Sequence, residues 1–538
     1  MFKKHPAALP FLFFSEMWER FGYYLMIGIF TLYLKDAKSG FEMSEKDASN
    51  LYGTFIALVF FTPFIGGLVA DRLLGYRRSI IMGGVLMGVG YCLMSIHNLS
   101  MLYTAMTFVI IGNGFFKPNI STLLGNVYST PENMHQKDEG YNIFYMGINV
   151  GAFICNFFGA ALYTTIGWNA AFIAAGVGMF IGVVVFLSGT RHYKHFDVKV
   201  EPKPGDMSIG KIATMVLFPS LIAGVIGWFI PGKIFDSDST DAFIFACIPV
   251  VLFYASLYFK SSPEEKKPMG VMLVIFAVVV MFWAVFKQNG TALNTWADNY
   301  TDRSVQGTSQ TILSSLKQTK EIEYKKDSVA LIDAQFRKTK VDGKVVKTVD
   351  YPNYFKNDAH AQDLKIGAKV SIWSTNISQS FNPFWVIFLT PFVVMFFGFL
   401  RKKKREPSIP TKITMGLIVS ALSVLVMVAA VKVGGNGAEK VSFWWLVGTY
   451  GVVTIGELLL SPMGLSLVSK LSPQRFTSLM MGGWFLATSI GNKLSGVLAS
   501  QWDAYQDKAA YFWLNFILLG AASVLMLLML KKLNNAIK

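Results

Sequence analysis

The sequence predicts an all-α membrane protein of about fourteen spans: two six-helix bundles plus two extra transmembrane helices between them. Of its 538 residues, 53% are apolar and 15% charged, a composition far from that of a soluble enzyme. Runs of roughly 18 or more apolar residues, enough to cross a hydrocarbon core about 30 Å thick at 1.5 Å per residue, recur along the whole chain. Basic residues also alternate from loop to loop, as they do in chains threaded through a bilayer.

In order, the apolar runs are 9–34, 48–70, 79–96, 101–123, 141–163, 170–187, 209–230, 242–258, 269–286, 384–400, 413–431, 443–465, 480–499 and 509–530. They group as six, two and six, with polar breaks after residues 188 and 259. The expected division is an N-terminal six-helix bundle at 1–190 and the additional pair at 191–266. The first helix of the C-terminal bundle follows at 267–291, then an extracytoplasmic hydrophilic insert at 292–376 and the rest of that bundle at 377–538. The insert is long for a loop. Valines flanking Asp342 and Gly343 suggest a hairpin, and so a small folded appendage, whereas composition favours a solvated strap with no activity of its own.

The net charge of +16 does not indicate nucleic acid, because topology distributes it. With a cytoplasmic N-terminus, one side carries Lys3 and Lys4, then Arg72, Arg77 and Arg78, then Arg191, Lys194, Lys199 and Lys203. The same side continues with Lys260, Lys266 and Lys267, the run from Arg401 to Arg405, Lys470 and Arg475, and Lys531 and Lys532. An even span count then leaves both termini in the cytoplasm. The apolar run after Lys3 and Lys4 lacks a small-residue cleavage site and reads as a retained span. Cys92, Cys155 and Cys247 all fall inside spans, too few and too deep for a disulfide framework.

The charges inside the spans carry the chemistry. Glu16, Glu19, Arg20, Tyr23, Tyr24 and Ile27 follow i, i+3, i+4, i+7, i+8, i+11 spacing and share one helix face. An ionisable group at mid-membrane costs on the order of 3 kcal/mol on insertion scales, so three within one turn must face a polar cavity or each other. Lys117 sits in the fourth span with Asn113 one turn before it and needs a carboxylate partner, for which Glu16 and Glu19 are candidates. Glu457 is an isolated acid deep in the twelfth span with Ser461 on its face. Lys287 closes the ninth apolar run, where it can snorkel to the interface. Acid and base from both halves could grip a zwitterion from its two ends, or move protons as partners change. No paired aspartates, metal-ligand histidines or serine constellation appear in the spans, so an enzyme is not expected.

The residues also match a family. The stretch from Glu16 to Tyr24 (EMWERFGYY) resembles the first-helix motif of proton-coupled oligopeptide transporters, a branch of the major facilitator superfamily. The segment from Gly66 to Arg78, with Asp71, Arg72, Arg77 and Arg78, is similar to that family's cytoplasmic latch. The segment from Tyr141 to Phe153, including Asn149, resembles its fifth-helix signature, and Gly456-Glu457 and Gln379 to Pro383 agree as well.

The resemblance implies a bacterial inner-membrane symporter, monomeric and without a cofactor, importing di- and tripeptides on the proton gradient. Glu16, Glu19, Arg20 and Lys117 would couple protons. Tyr23, Tyr24, Lys117, Asn149, Trp283, Asn382, Glu457, Ser461 and Trp484 would bind substrate, with Glu457 at the peptide amino end. Two positions depart from the family: Ile27 stands where many members have arginine, and Lys287 where many have an acid. The competing readings are a peptide-binding sensor or receptor, and a transporter of another anion or drug.

Overall fold

The computed structural model describes residues 2–36, 39–41, 43, 45–198, 209–235, 237–290, 292–316, 318–337, 339–341, 344–373, 375–472 and 477–537. Lys199, Lys203, Arg475, Asp342 and Gly343 lie outside them. The spanning helices are α1 (Ala8–Lys35), α2 (Glu45–Phe61, continued by Pro63–Val69), α3 (Tyr76–Met94), α4 (Leu99–Val127), α5 (Lys137–Thr165) and α6 (Trp168–Ser188). Next come α7 (Phe218–Phe229, preceded by the turns of Ile209–Leu217) and α8 (Asp238–Lys260). The remainder are α9 (Pro263–Phe286), α10 (Ser378–Lys402), α11 (Ile409–Val433), α12 (Trp444–Leu471), α13 (Thr477–Ser500) and α14 (Lys508–Ile537).

Ten of these segments are long and apolar enough to cross a membrane on composition alone. The remaining four expected spans are α1, α3, α7 and α13. In α1 the mean hydropathy is lowered by Glu16, Glu19 and Arg20, which face inward rather than toward lipid. Boundaries are set locally. Ser262 caps α9 through a full capping box with Glu265, and Asn98 accepts from Met101 N to start α4.

Helix α1 packs on α5 and α6, and α3 on α4 and α6. In the second half of the chain α11 packs on α12 and α14, and α9 on α13 and α14. The pair α7 and α8 packs on itself. Between the two sets, α5 meets α10 and α12, while α2 meets α13. Glycines permit the closest approaches: a Cβ at Gly151 of α5 would strike the Met17 carbonyl of α1, and one at Gly456 of α12 would strike Ser420 and the Gly416 carbonyl of α11. These contacts fix α1 and α12, the helices that carry Glu16, Glu19 and Glu457.

The insert is a folded appendage rather than a strap. Thr319–Glu323 pairs antiparallel with Lys369–Trp373, and Asp327–Ala330 with Lys347–Asp350. Lys340–Val341 pairs with Lys344–Val345, the two arms of the expected hairpin. The appendage has its own small core of Tyr354, Phe355, Ala361 and Ile372. It is seated on the bundle by Thr301–Asp302, which pair with Val441–Ser442 ahead of α12, and by Asn357, which donates to the Asn299 and Gly437 carbonyls. Burial beside Tyr354 pushes the Lys440 ammonium in this seat down to about 7.

Candidate functional site

The first wall of the site is built on α1. Glu16, Glu19 and Arg20 are 1%, 0% and 1% exposed, so their charges must be met inside the protein. The Arg20 guanidinium folds back on its own helix and donates twice to the Glu19 carboxylate, although adjacent residues do not share a helix face. Its Nη2 also donates to Asn113 Oδ1 at 3.3 Å, and Asn113 Nδ2 donates to the Val59 carbonyl of α2 at 2.7 Å. Glu16 is held more loosely, 3.6 Å from Arg20 Nε. Its Oε2 is buried and finds no hydrogen-bond partner among the described residues. The guanidinium lies 4.6 Å from the centre of the Tyr23 ring.

Lys117 departs from expectation. Neither Glu16 nor Glu19 pairs with it; its ammonium rests 4.4 Å from the Phe60 ring centre and 5.2 Å from that of Phe485. Glu19 is already saturated by Arg20, which explains the difference. Glu457 departs too, for it is not isolated. Tyr145 of α5 donates to its Oε1, and Asn382 of α10 donates to its Oε2 at 2.7 Å while also reaching Thr454 at 2.9 Å. Glu457 therefore ties the two halves of the chain together.

A cavity of about 80 Å³ opens between these groups. From the first half its wall takes Glu16, Arg20, Tyr24, Phe60, Lys117, Ser121, Tyr145 and Ile148; from the second it takes Trp283, Lys287, Ser461, Trp484, Phe485 and Thr488. Trp484 fits where Gly464 leaves room for its ring, and Trp283 Nε1 is buried without a partner among the described residues. Buried polar atoms left open around a hollow call for water or a ligand. The volume holds a few waters and falls well short of the 300–1,000 Å³ usual for ligand sites, so this state must open to load a solute.

Four of the expected substrate contacts are set back from this wall. Tyr23 is 1% exposed and packs against Phe60 and Tyr24, and Asn149 donates to the Tyr145 carbonyl on its own helix. Asn382 and Glu457 sit behind Tyr145. The lining residues Lys117 and Ser461, and Asn382 behind the wall, each immediately precede a proline within a helix: Pro118, Pro462 and Pro383. A proline there removes one helical hydrogen bond and allows a bend at the level of the site.

At the basic end, Asp71 lies in a π turn, Ala70–Leu74, with Arg72, and accepts from Tyr76 Oη at 2.7 Å. Gly75, with φ of 79°, turns the chain into α3. Arg77 and Arg78 border a second hollow of about 380 Å³ together with Asp197, which sequence reasoning did not single out. Asp197 Oδ1 accepts from the backbone N–H of Tyr76 at 2.8 Å and of Arg77 at 3.2 Å, pinning the turn from across the bundle. Equally unforeseen are ties between the halves at this end: Lys470 to Asp138 at 2.8 Å, with Ser466 donating to the same carboxylate, and Arg401 to Glu139 at 3.1 Å. No group of three His, Cys, Asp or Glu side chains able to hold a metal occurs among the described residues.

Comparison with known proteins agrees with this architecture. The POT family pattern, labelled PTR2, matches residues 77–319 and 361–514 and passes over the middle of the insert. The chain is 27% identical to the peptide transporter YePEPT of Yersinia enterocolitica, across 99% of this chain and 96% of that one. It is 27% identical to dipeptide and tripeptide permease A of Escherichia coli, across 92% and 84% respectively. Among solved structures, a peptide transporter POT in complex with sulfate matches with TM-score 0.65 at 27% identity, covering all of this chain and 96% of the other. A variant of a peptide transporter POT in complex with alafosfalin matches with TM-score 0.66 at 26% identity, covering all of this chain and 97% of the other. These relatives are transporters, not enzymes.

Proposed function

The chain belongs to the POT family, and on that premise we propose that it is a proton-coupled symporter that imports di- and tripeptides by alternating access. The observation that carries this reading is a single hollow, walled by both halves of the chain, in which acids, bases and unpartnered polar atoms converge. Relatives named as dipeptide and tripeptide permeases supply the substrate class. The peptide carboxylate is assigned to Lys117 and its ammonium to Glu457. The working unit is a monomer in a bacterial inner membrane with both termini cytoplasmic, driven by the proton gradient and needing no cofactor.

Glu16 is the assigned proton carrier. It is the acid that borders the cavity, and its Oε2 is open while Glu19 is locked to Arg20. An unpartnered carboxyl oxygen on the cavity wall is the place where a proton can enter and leave. In proteoliposomes with an inward proton gradient, labelled Ala-Ala should accumulate, and a protonophore should abolish the accumulation; accumulation indifferent to the protonophore argues against coupling. Glu16→Gln should lower gradient-driven uptake more than tenfold and counterflow exchange by much less. Equal losses would make Glu16 a structural group.

A further inference from the structure

The two ends of the contact between the halves are built differently. At the basic end Lys470 reaches Asp138 and Arg401 reaches Glu139. Among the described residues no ion pair answers them at the opposite end. There α13 sets Lys493 against α2 instead, and a Cβ built on Gly53 of α2 would stand 3.8 Å from its Nζ. Helix α13 lines the cavity with Trp484, Phe485 and Thr488, and α2 lines it with Phe60. At 1.5 Å per residue, Lys493 is about 7 Å beyond Thr488 and Gly53 about 10 Å beyond Phe60, both on the side away from the basic end.

The Lys493 side chain is partly buried, and no ion pair, hydrogen bond or neighbouring charge reaches its ammonium among the described residues. Asn492 beside it carries a buried Oδ1 that is also without a partner. A lysine near a helix end can snorkel out to water, but this one rests at a depth roughly 12 Å inside the start of α2. Gly53 has no side chain with which to answer it. A cation shut into a seam without a counter-ion is costly, and parting the two helices returns it to water. Given the alternating-access reading above, we propose that Lys493 is an opening device: it penalises closure of the α2–α13 seam and so biases the resting protein toward the state open at this end.

The test is the separation of the halves at this end, read by pulsed electron-spin measurements in lipid nanodiscs at pH 7. Spin labels go on cysteines at Ser100, in the first turn of α4, and Gln501, just past α13, both exposed, in a chain whose Cys92, Cys155 and Cys247 are replaced by alanine. A short and a long distance should both appear. Lys493→Met and Lys493→Gln should each lower the long-to-short ratio about tenfold, the low end of what an unpartnered charged group costs, and Lys493→Arg should leave it nearly unchanged. Gly53→Asp supplies the missing carboxylate at ordinary contact distance and should also lower the ratio. Added to Lys493→Met, the same substitution should raise the ratio, because the carboxylate is then the unmatched charge. Packing alone would not reverse the sign. A ratio unmoved by Lys493→Met, a Gly53→Asp effect of one sign in both backgrounds, or a resting distribution wholly at the short distance would overturn the proposal while leaving peptide transport standing. A single distance that neither Ala-Ala nor pH moves would remove the alternating-access reading and this proposal with it.

Discussion

Arg20→Met should reduce peptide uptake by two orders of magnitude or more and destabilise the protein by about 3–5 kcal/mol, the usual loss when one member of a buried ion pair is removed. The size follows from what remains. Glu16 and Glu19 would be left within one helical turn, both essentially sealed from solvent, with no cation beside them. Asn113 would lose the guanidinium that occupies its carbonyl, and α1 would lose its polar link to the Val59 carbonyl of α2. Adding Glu19→Met to the same chain removes the acid that suffers most, so the double variant should recover much of the thermal stability. It should not recover transport, because coupling needs the charges and not only their balance. Melting curves of the purified variants beside their uptake rates check this. A double variant as unstable as the single one would mean that Arg20 matters for packing rather than charge.

The spans were legible because a helix facing lipid must be apolar over some twenty residues, a demand that composition records directly. The cluster on α1 was legible for the opposite reason: three ionised groups in such a run have no lipid-facing solution. What one chain does not display is pairing over long separations. Tyr145 meets Glu457 across 312 residues, and Lys470 meets Asp138 across 332. Tyr145 lay inside the fifth-helix stretch already singled out, yet nothing local marks its hydroxyl as the donor to a distant acid. Lys117 shows the converse failure. The expectation of a carboxylate partner was sound electrostatics, but Arg20 is on the same helix as both acids and reaches them first. Tyr23 and Asn149 share helices with lining residues and stand a fraction of a turn from the wall, an angle that apolar periodicity does not resolve.

Glu457→Gln should weaken peptides with a free amino end by about ten- to a hundredfold and alter N-acetylated peptides by only about twofold. A hydrogen bond between ions contributes roughly 1.5–3 kcal/mol, which corresponds to that range of affinity. The carboxylate is 3% exposed and set behind Tyr145, so an incoming ammonium reaches it only by displacing the tyrosine hydroxyl. That exchange would replace a neutral donor by a charged one, giving an ion–ion bond, and at the same moment break the contact joining α5 to α12. On the proposed assignment of the peptide ammonium to Glu457, binding and the loosening of the two halves would be one event, which a peptide without an ammonium would not drive. Glutamine has the same size but accepts through one oxygen only, so it cannot satisfy Tyr145 and Asn382 as the carboxylate does. Calorimetric titration of Ala-Ala and N-acetyl-Ala-Ala into both proteins separates the possibilities. Equal losses for the two ligands would show that Glu457 holds the helices in place and does not read the amino end.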